Sequence, residues 1–127
     1  MAASPFKRAD RLSASIRDIV SEVLRARIAD PRLRSVMITH VDFPSDLQQA
    51  RVYWYFLKGA TDAKIAAAEA AFTKATGLFE SAVARELQLK RSPDLQFRYD
   101  KGIDHERHIE ALLDEVGASK PPDDTPR

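Results

Sequence analysis

The chain has no cysteine, and only four glycines and one tryptophan in 127 residues. Without thiols there can be no disulfide and no thiolate-held metal. With so few glycines there is little material for a loop that cradles phosphates, and HExxH, GxSxG and CxxC patterns are all missing. No apolar run approaches the ~18 residues that would mark a membrane span. The N-terminus lacks an apolar signal core, and Asp10, Asp18 and Glu22 are out of place in an acid-poor mitochondrial presequence. A cytoplasmic protein is the simplest expectation, with no membrane partner. No internal repeat is visible, and the length suits one domain with one ordinary core.

What is present is charge, unevenly placed. The net value of +1 hides a gradient. Residues 1–34 carry eight basic and four acidic side chains, whereas residues 102–127 carry three basic and seven acidic. A basic front and an acidic rear suggest a polyanion engaged from one side. Charges of both signs that merely keep the chain soluble are the competing explanation.

Residues 1–7 read as a loose arm. Leu12, Ile16, Ile19, Val20, Val23 and Leu24 then recur at helical spacing, predicting an amphipathic helix from about Arg8 to Ile28. Asp30-Pro31 stops it, because a residue before proline avoids helical angles. Val36 to Phe43 is rich in β-branched residues, but its alternation is too imperfect to assign faces. Pro44 to Gln49 is a turn. Ala50 to Leu57 alternates cleanly, with Val52, Trp54 and Phe56 against Arg51, Tyr53 and Tyr55. The two strands make a hairpin, and Thr61 or Asp62 can cap the helix that follows.

The most telling stretch runs from Ile65 to Asp100. Ile65, Ala68, Phe72 and Ala75 lead to Thr76-Gly77, a second helical segment carries Phe79, Val83 and Leu87, and Lys90-Arg91-Ser92-Pro93 breaks into the strand Leu95–Asp100. Glycine inside a helix costs about 1 kcal/mol relative to alanine, so Gly77 needs a reason: close approach of another backbone, or a kink. Helix, glycine break, helix, basic turn and strand is the layout of a KH-type module, whose loop clamps a nucleotide backbone. Leu95, Phe97 and Tyr99 should face the core, giving an antiparallel-type sheet with one wet face. The expected class is α+β, in two layers. A helix from about Asp104 to Val116 and a disordered tail from Ala118 complete the chain.

Catalysis finds little support. His105 and His108 lie one helical turn apart with Glu106 and Glu110 near, a spacing that could bind a metal but more often marks a solvated helix face. No enzymatic activity, metal or other cofactor is expected. Phe72, Phe79, Trp54 and Phe97 read as core. Tyr53 and Tyr55 could stack on bases if their strand face is open, or could be covered by the C-terminal helix. Arg32 and Arg34, flanking a turn, could simply cap the end of the first helix.

Several segments in order resemble the bacterial ribosome-binding factor A family. They are Arg8-Ala9-Asp10-Arg11-Leu12, Ile28-Ala29-Asp30-Pro31-Arg32-Leu33, Ile38-Thr39-His40-Val41-Asp42, Pro44-Ser45-Asp46-Leu47 and Ala50-Arg51-Val52-Tyr53. Ala75-Thr76-Gly77 looks like that family's Ala-x-Gly kink, and Leu89 to Phe97 followed by Asp100 closes the pattern. The likeness covers about residues 7–115. It implies a type II KH-like fold (α-β-β-α-kink-α-β), a three-stranded sheet with helices on one face. Residues 1–103 would form the RNA-binding domain, 104–117 a C-terminal helical extension and 118–127 the tail.

The resemblance further implies a maturation factor that binds the free 30S subunit and its 16S rRNA. It would assist late assembly and 5′-end processing, matter most in the cold, and act as a monomer that a GTPase releases. The residues expected to contact RNA are Lys7, Arg8, Arg11, Lys74, Ala75, Thr76, Gly77, Arg85, Lys90, Arg91 and Arg98. Glu80 departs from the pattern, which commonly has an arginine near this turn, and an acid beside a phosphate-facing kink is electrostatically wrong. A KH-like single-strand RNA binder unrelated to ribosomes, and a protein-interaction module using the acidic C-terminus, are the alternative readings.

Overall fold

Proline at the first helical position has no N–H to leave unpaired, and its fixed φ suits a helix. In the computed structural model, which describes residues 5–44, 46–102 and 113, Pro5 opens helix α1 (Pro5–Ala26). The helix thus starts inside the segment expected as a loose arm. Its stripe buries Ile16, Val20 and Val23, while Leu12, Ile19 and Leu24 pack at the margin of the same core. Asp30 then adopts extended backbone, its carboxylate accepts the Arg32 N–H at 2.9 Å, and a 3₁₀ turn at Pro31–Leu33 buries Leu33.

Strand β1 (Val36–Asp42) pairs antiparallel with β2 (Gln49–Phe56). The imperfect alternation of β1 has a cause. Ile38 pairs with Trp54 and His40 with Tyr53, so Thr39 is an extra residue on one strand, a β-bulge. The bulge lets Val36 and Val41 both reach the core although they are five positions apart, an offset that in a regular strand puts side chains on opposite faces. In the connection the Gln48 N–H donates to the Asp46 carboxylate at 2.8 Å, tightening the turn. Ala50, Val52, Trp54 and Phe56 are buried, and Arg51, Tyr53 and Tyr55 take the opposite face.

Helix α2 (Asp62–Glu86) is capped by Thr61, whose hydroxyl accepts the Lys64 N–H at 3.2 Å. It leads to β3 (Asp94–Tyr99), which lies parallel to β2, so the sheet order is β1-β2-β3. The sheet is therefore mixed, not of the antiparallel type expected. A crossover as long as α2 returns the chain to the end where β2 began, and a strand starting there runs parallel.

The break expected at Thr76-Gly77 does not interrupt the helix, which runs through 25 residues without a gap. One glycine costs about 1 kcal/mol. Burying a phenylalanine contributes roughly 1.5–3 kcal/mol, and Phe72 and Phe79, one on each side of Gly77, are both fully buried. The surrounding alanines add the best helix propensity there is. The local strain shows instead in hydroxyls: Thr73 and Thr76 donate to the carbonyls of Glu69 and Phe72 at 3.0 and 2.8 Å, a pattern that bends helices.

The two helices cover one sheet face. Between them and the sheet, Phe72 stacks on Phe97 with ring centroids 4.4 Å apart and sits 5.2 Å from Trp54, while Phe79 lies 5.0 Å from Phe97. The α+β class and the layer arrangement agree with expectation, with two helices rather than three among the described residues. Of the helix expected over 104–116 only Leu113 is described, helical and exposed; its two histidines and the tail lie outside the described residues.

Candidate nucleic-acid interface

The end of α2 sets the first part of the site. Leu89 N–H donates to the Ala84 carbonyl at 2.8 Å and Gln88 N–H to that of Arg85 at 3.2 Å, with Gln88 at φ 54°. This is a Schellman closure with glutamine where glycine is usual. It turns the chain sharply and sends Leu89, Lys90 and Arg91 out beside α1. Ser92 is buried, its hydroxyl donating to the Pro93 carbonyl at 2.7 Å, which anchors the far side of the turn.

The result is a cleft of about 720 Å³ lined by Arg8, Arg11, Leu12 and Ser15 of α1, Leu47 and Gln48 of the hairpin turn, and Leu89 to Asp94 except Lys90. Arg8 and Arg11 thus meet Arg91 from the other end of the sequence. None of the three makes an ion pair with a described residue, whereas Arg17, Arg25 and Arg32 each hold a carboxylate within 4.0 Å. Guanidinium groups that share a concave wall without carboxylate partners are suited to phosphate. Lys90 is exposed on the same turn, and Lys7 belongs to the first turn of α1.

A second group lies midway along α2. Gly77 is exposed, and a Cβ placed on it would meet nothing within 4 Å. No contact inside the described chain requires glycine there. Lys74 is one turn away on the same surface, near enough to the 3₁₀ turn to act on Asp30. The Asp30 carboxyl is held at about 2, mainly by hydrogen bonds from the Arg32 side chain and backbone, with a smaller contribution from the Lys74 charge. Ala75 and Thr76 are half-buried, and Thr76 uses its hydroxyl within the helix.

The remaining expected residues are elsewhere. Arg85 lies on the seam between the helices, beside Asp18, Glu22 and Glu86. Arg98 is exposed on the sheet face turned away from α2, where its guanidinium donates to Gln96 at 3.2 Å. The cations expected to contact RNA are therefore not gathered at Gly77: Lys74 is beside it, Lys90 and Arg91 are beyond the helix end, and Arg98 is across the sheet. On that same far face His40 stacks on Tyr53, with centroids 4.5 Å apart and 16° between planes.

Glu80 has a structural partner. Its Oε2 accepts the backbone N–H of Leu95 at 2.9 Å. The carboxylate points into the α2–β3 junction, so the acid that looked wrong beside an anion is turned away from it. The one hint in the sequence was the misfit itself.

A sequence model of the family described as ribosome-binding factor A matches residues 8–113. The chain belongs to the ribosome-binding factor A family. A ribosome-binding factor A from Desulfosudis oleivorans is 41% identical over 121 residues, which cover 95% of this chain and 91% of that protein. The solution structure of a Thermotoga maritima protein described as a ribosome binding factor A has a TM-score of 0.67 at 29% identity, over 80% of this chain and 94% of that one. The Thermus thermophilus ribosome binding factor A, fitted into a cryo-electron-microscopy map of its complex with the 30S subunit, shares the fold. Its TM-score is 0.56 at 24% identity, over 70% of this chain and 91% of that one. Among the described residues of this family member no helix is long and apolar enough to cross a membrane.

Proposed function

We propose that this protein binds the free 30S ribosomal subunit through its 16S rRNA and assists the last steps of its assembly. The observation that carries the reading is the cleft in which Arg8, Arg11 and Arg91 converge without a carboxylate partner among the described residues, on a chain of the ribosome-binding factor A family. Phosphate contacts from these side chains, with Lys7 and Lys90 beside them, position the protein on RNA without reading sequence. Gly77 supports the same reading, since an exposed helical glycine with no internal contact leaves room for another backbone to approach. Lys74, Ala75 and Thr76 flank that approach in a KH-like manner, and Arg85 and Arg98 make at most peripheral contacts.

The protein works without catalysis or cofactor, as a cytoplasmic monomer. Residues 1–103 bind RNA, 104–117 extend the domain and 118–127 form its tail. By holding a productive rRNA conformation it favours 5′-end processing. The need is greatest in the cold, where misfolded RNA helices are hardest to undo. A ribosome-associated GTPase releases it before translation begins.

Co-sedimentation with separated 30S and 50S subunits across a salt series tests this. Selective, salt-sensitive pelleting with 30S is expected, and changing Arg8, Arg11 and Arg91 together to Gln should flatten the plot of log K against log salt by about one unit for each lost contact. Equal pelleting with both subunits would reduce the protein to a general RNA binder. No pelleting at all would shift attention to a protein partner for the acidic C-terminus.

A further inference from the structure

A second basic cleft lies at the other end of α2, built from residues to which the family pattern gave no RNA contact. It is lined by Pro31, Arg32, Arg34 and Ser35 after α1, Phe56, Lys58 and Gly59 at the end of β2, and Lys64 and Ala67 of α2, and encloses about 360 Å³. Four of these nine side chains are cationic and none is acidic. Arg32 is engaged, its guanidinium holding Asp30 at 2.7 Å. Arg34, Lys58 and Lys64 are exposed and make no ion pair with a described residue.

The backbone that brings them together is tightly specified. Ser35 stands at φ 70° and Gly59 at φ 77°. For serine this left-handed conformation costs about 1 kcal/mol or more. The Ser35 carbonyl accepts the Leu57 N–H at 2.9 Å, and the Gly59 N–H donates to Phe56 at 3.1 Å. These bonds bind the end of β2 to the start of β1, so that Arg34 on one side and Lys58 on the other face a common hollow. Lys64 closes it from the first turn of α2, where its own backbone N–H is already taken by the Thr61 cap.

We propose that this cleft is a second phosphate-binding site for RNA. The proposal rests on the RNA-binding reading above and extends it to residues outside the expected set. Three cations without a partner among the described residues share one hollow and repel one another, and a polyanion relieves that repulsion while releasing its own counterions. Ser35 is the only neutral polar side chain in the lining, so the site offers little with which to read a base edge. Contact is with the backbone, and it orients the protein. The arginine cleft begins just past the C-terminal end of α2 and this one just inside its N-terminal end. The two sites stand apart by most of the length of a 25-residue helix, on the order of 35 Å at 1.5 Å per residue. The protein therefore grips RNA at two separated places with Gly77 between them.

The test uses the full chain with Arg34, Lys58 and Lys64 changed together to Gln. Thermal unfolding first confirms that exposed substitutions have left the fold intact, and Lys58→Gln alone serves if the triple variant proves unstable. Binding is measured to purified 30S subunits and to naked 16S rRNA across a salt series. The salt slope should fall by about three for the triple variant and about one for the single variant, on both targets. The loss in log K should add to that of the Arg8, Arg11 and Arg91 variant, because distant sites act independently. An unchanged slope while the wild type still binds 30S overturns this site alone. Weakening on 30S but not on naked rRNA overturns it in favour of an acidic protein surface. Failure of the wild type to bind 30S overturns the proposed function itself, and this site with it.

Discussion

Helices α1 and α2 share one face of the sheet, yet they turn different surfaces to solvent. Along the middle of α1 the outer charged side chains are Arg17, Asp18, Glu22 and Arg25, and they are paired, with Arg25 on Glu22 at 2.6 Å and Arg17 on Asp18 at 3.7 Å. Along the middle of α2 one strip of the outer face, Ala66, Ala70, Thr73, Gly77 and Ser81, is uncharged, with Glu69 and Lys74 exposed beside it. Exposed ion pairs contribute little, ~0–1 kcal/mol each, so the α1 surface is chiefly a solvated one. On α2 the side chains are short enough for a second backbone to come close. The comparison teaches that charge count alone misplaces the interface. On the proposed reading the binding groups lie at the ends of α2, where cations lack partners among the described residues, and the close approach lies where side chains are missing.

The two helices differ in what they give the core, and that difference is the first to break. Phe72→Ala should cost about 3–5 kcal/mol, because the ring is fully buried against Trp54, Phe79 and Phe97. Ile16→Val on α1 should cost only about 0.5–1.5 kcal/mol. Urea unfolding of both variants decides it; equal losses would mean that α2 is not the dominant partner of the sheet. Next in size is Glu80→Ala, expected to cost about 1–3 kcal/mol by orphaning the Leu95 N–H. Its 30S affinity at matched folded fraction should hold, and a marked rise in affinity would show that the carboxylate faces RNA after all.

A smaller effect sharpens the contrast in the opposite direction. Gly77→Ala should raise stability by up to about 1 kcal/mol, since the added methyl meets open space and alanine is the better helix former. The same change should weaken 30S binding, and Gly77→Val should weaken it further. A variant that is more stable and binds as well as the wild type would make Gly77 a passive residue. Smallest is the pH response of the corner beside α1. The Asp30 carboxyl falls from 3.8 to about 2 in the folded protein, chiefly through hydrogen bonds from Arg32. A depressed folded value means that the stabilisation is present above about pH 4 and lost as pH falls through 2. Between those limits Asp30→Asn should flatten the acid limb of a Tm–pH curve; an unchanged limb would place the linkage elsewhere.

Much of this was legible because the local signals agreed with the fold. The stripe of α1, the alternation of β2, the Thr61 cap and the core aromatics all follow from period and propensity. What was not legible depended on partners distant in sequence. The bulge at Thr39 appears only once β2 supplies a register. The direction of β3 follows from the crossover, which no residue within the strand encodes. The role of Glu80 needs Leu95, fifteen residues on. The arginine cleft needs Arg8 and Arg91 side by side, and they stand more than eighty residues apart in the chain. Gly77 misled in a different way: its cost in the helix was read as a break, but Phe72 and Phe79 are sealed into one core and hold the helix through it.

The parallel pairing of β3 also fixes an order of events at the ribosome exit. Residues up to Phe56 contain α1 and the hairpin, and so two of the three strands of the wall that carries Trp54. Of the rings packed on Trp54 they contain only Phe56, since Phe72 and Tyr99 arrive later. Every newly made copy passes through an interval in which a basic, half-finished fragment displays an indole that only Phe56 covers among its ring partners. That interval ends only when the last strand has been threaded past α2. Synthesis speed across residues 57–99 therefore sets how long the nascent chain stays vulnerable to capture by its neighbours.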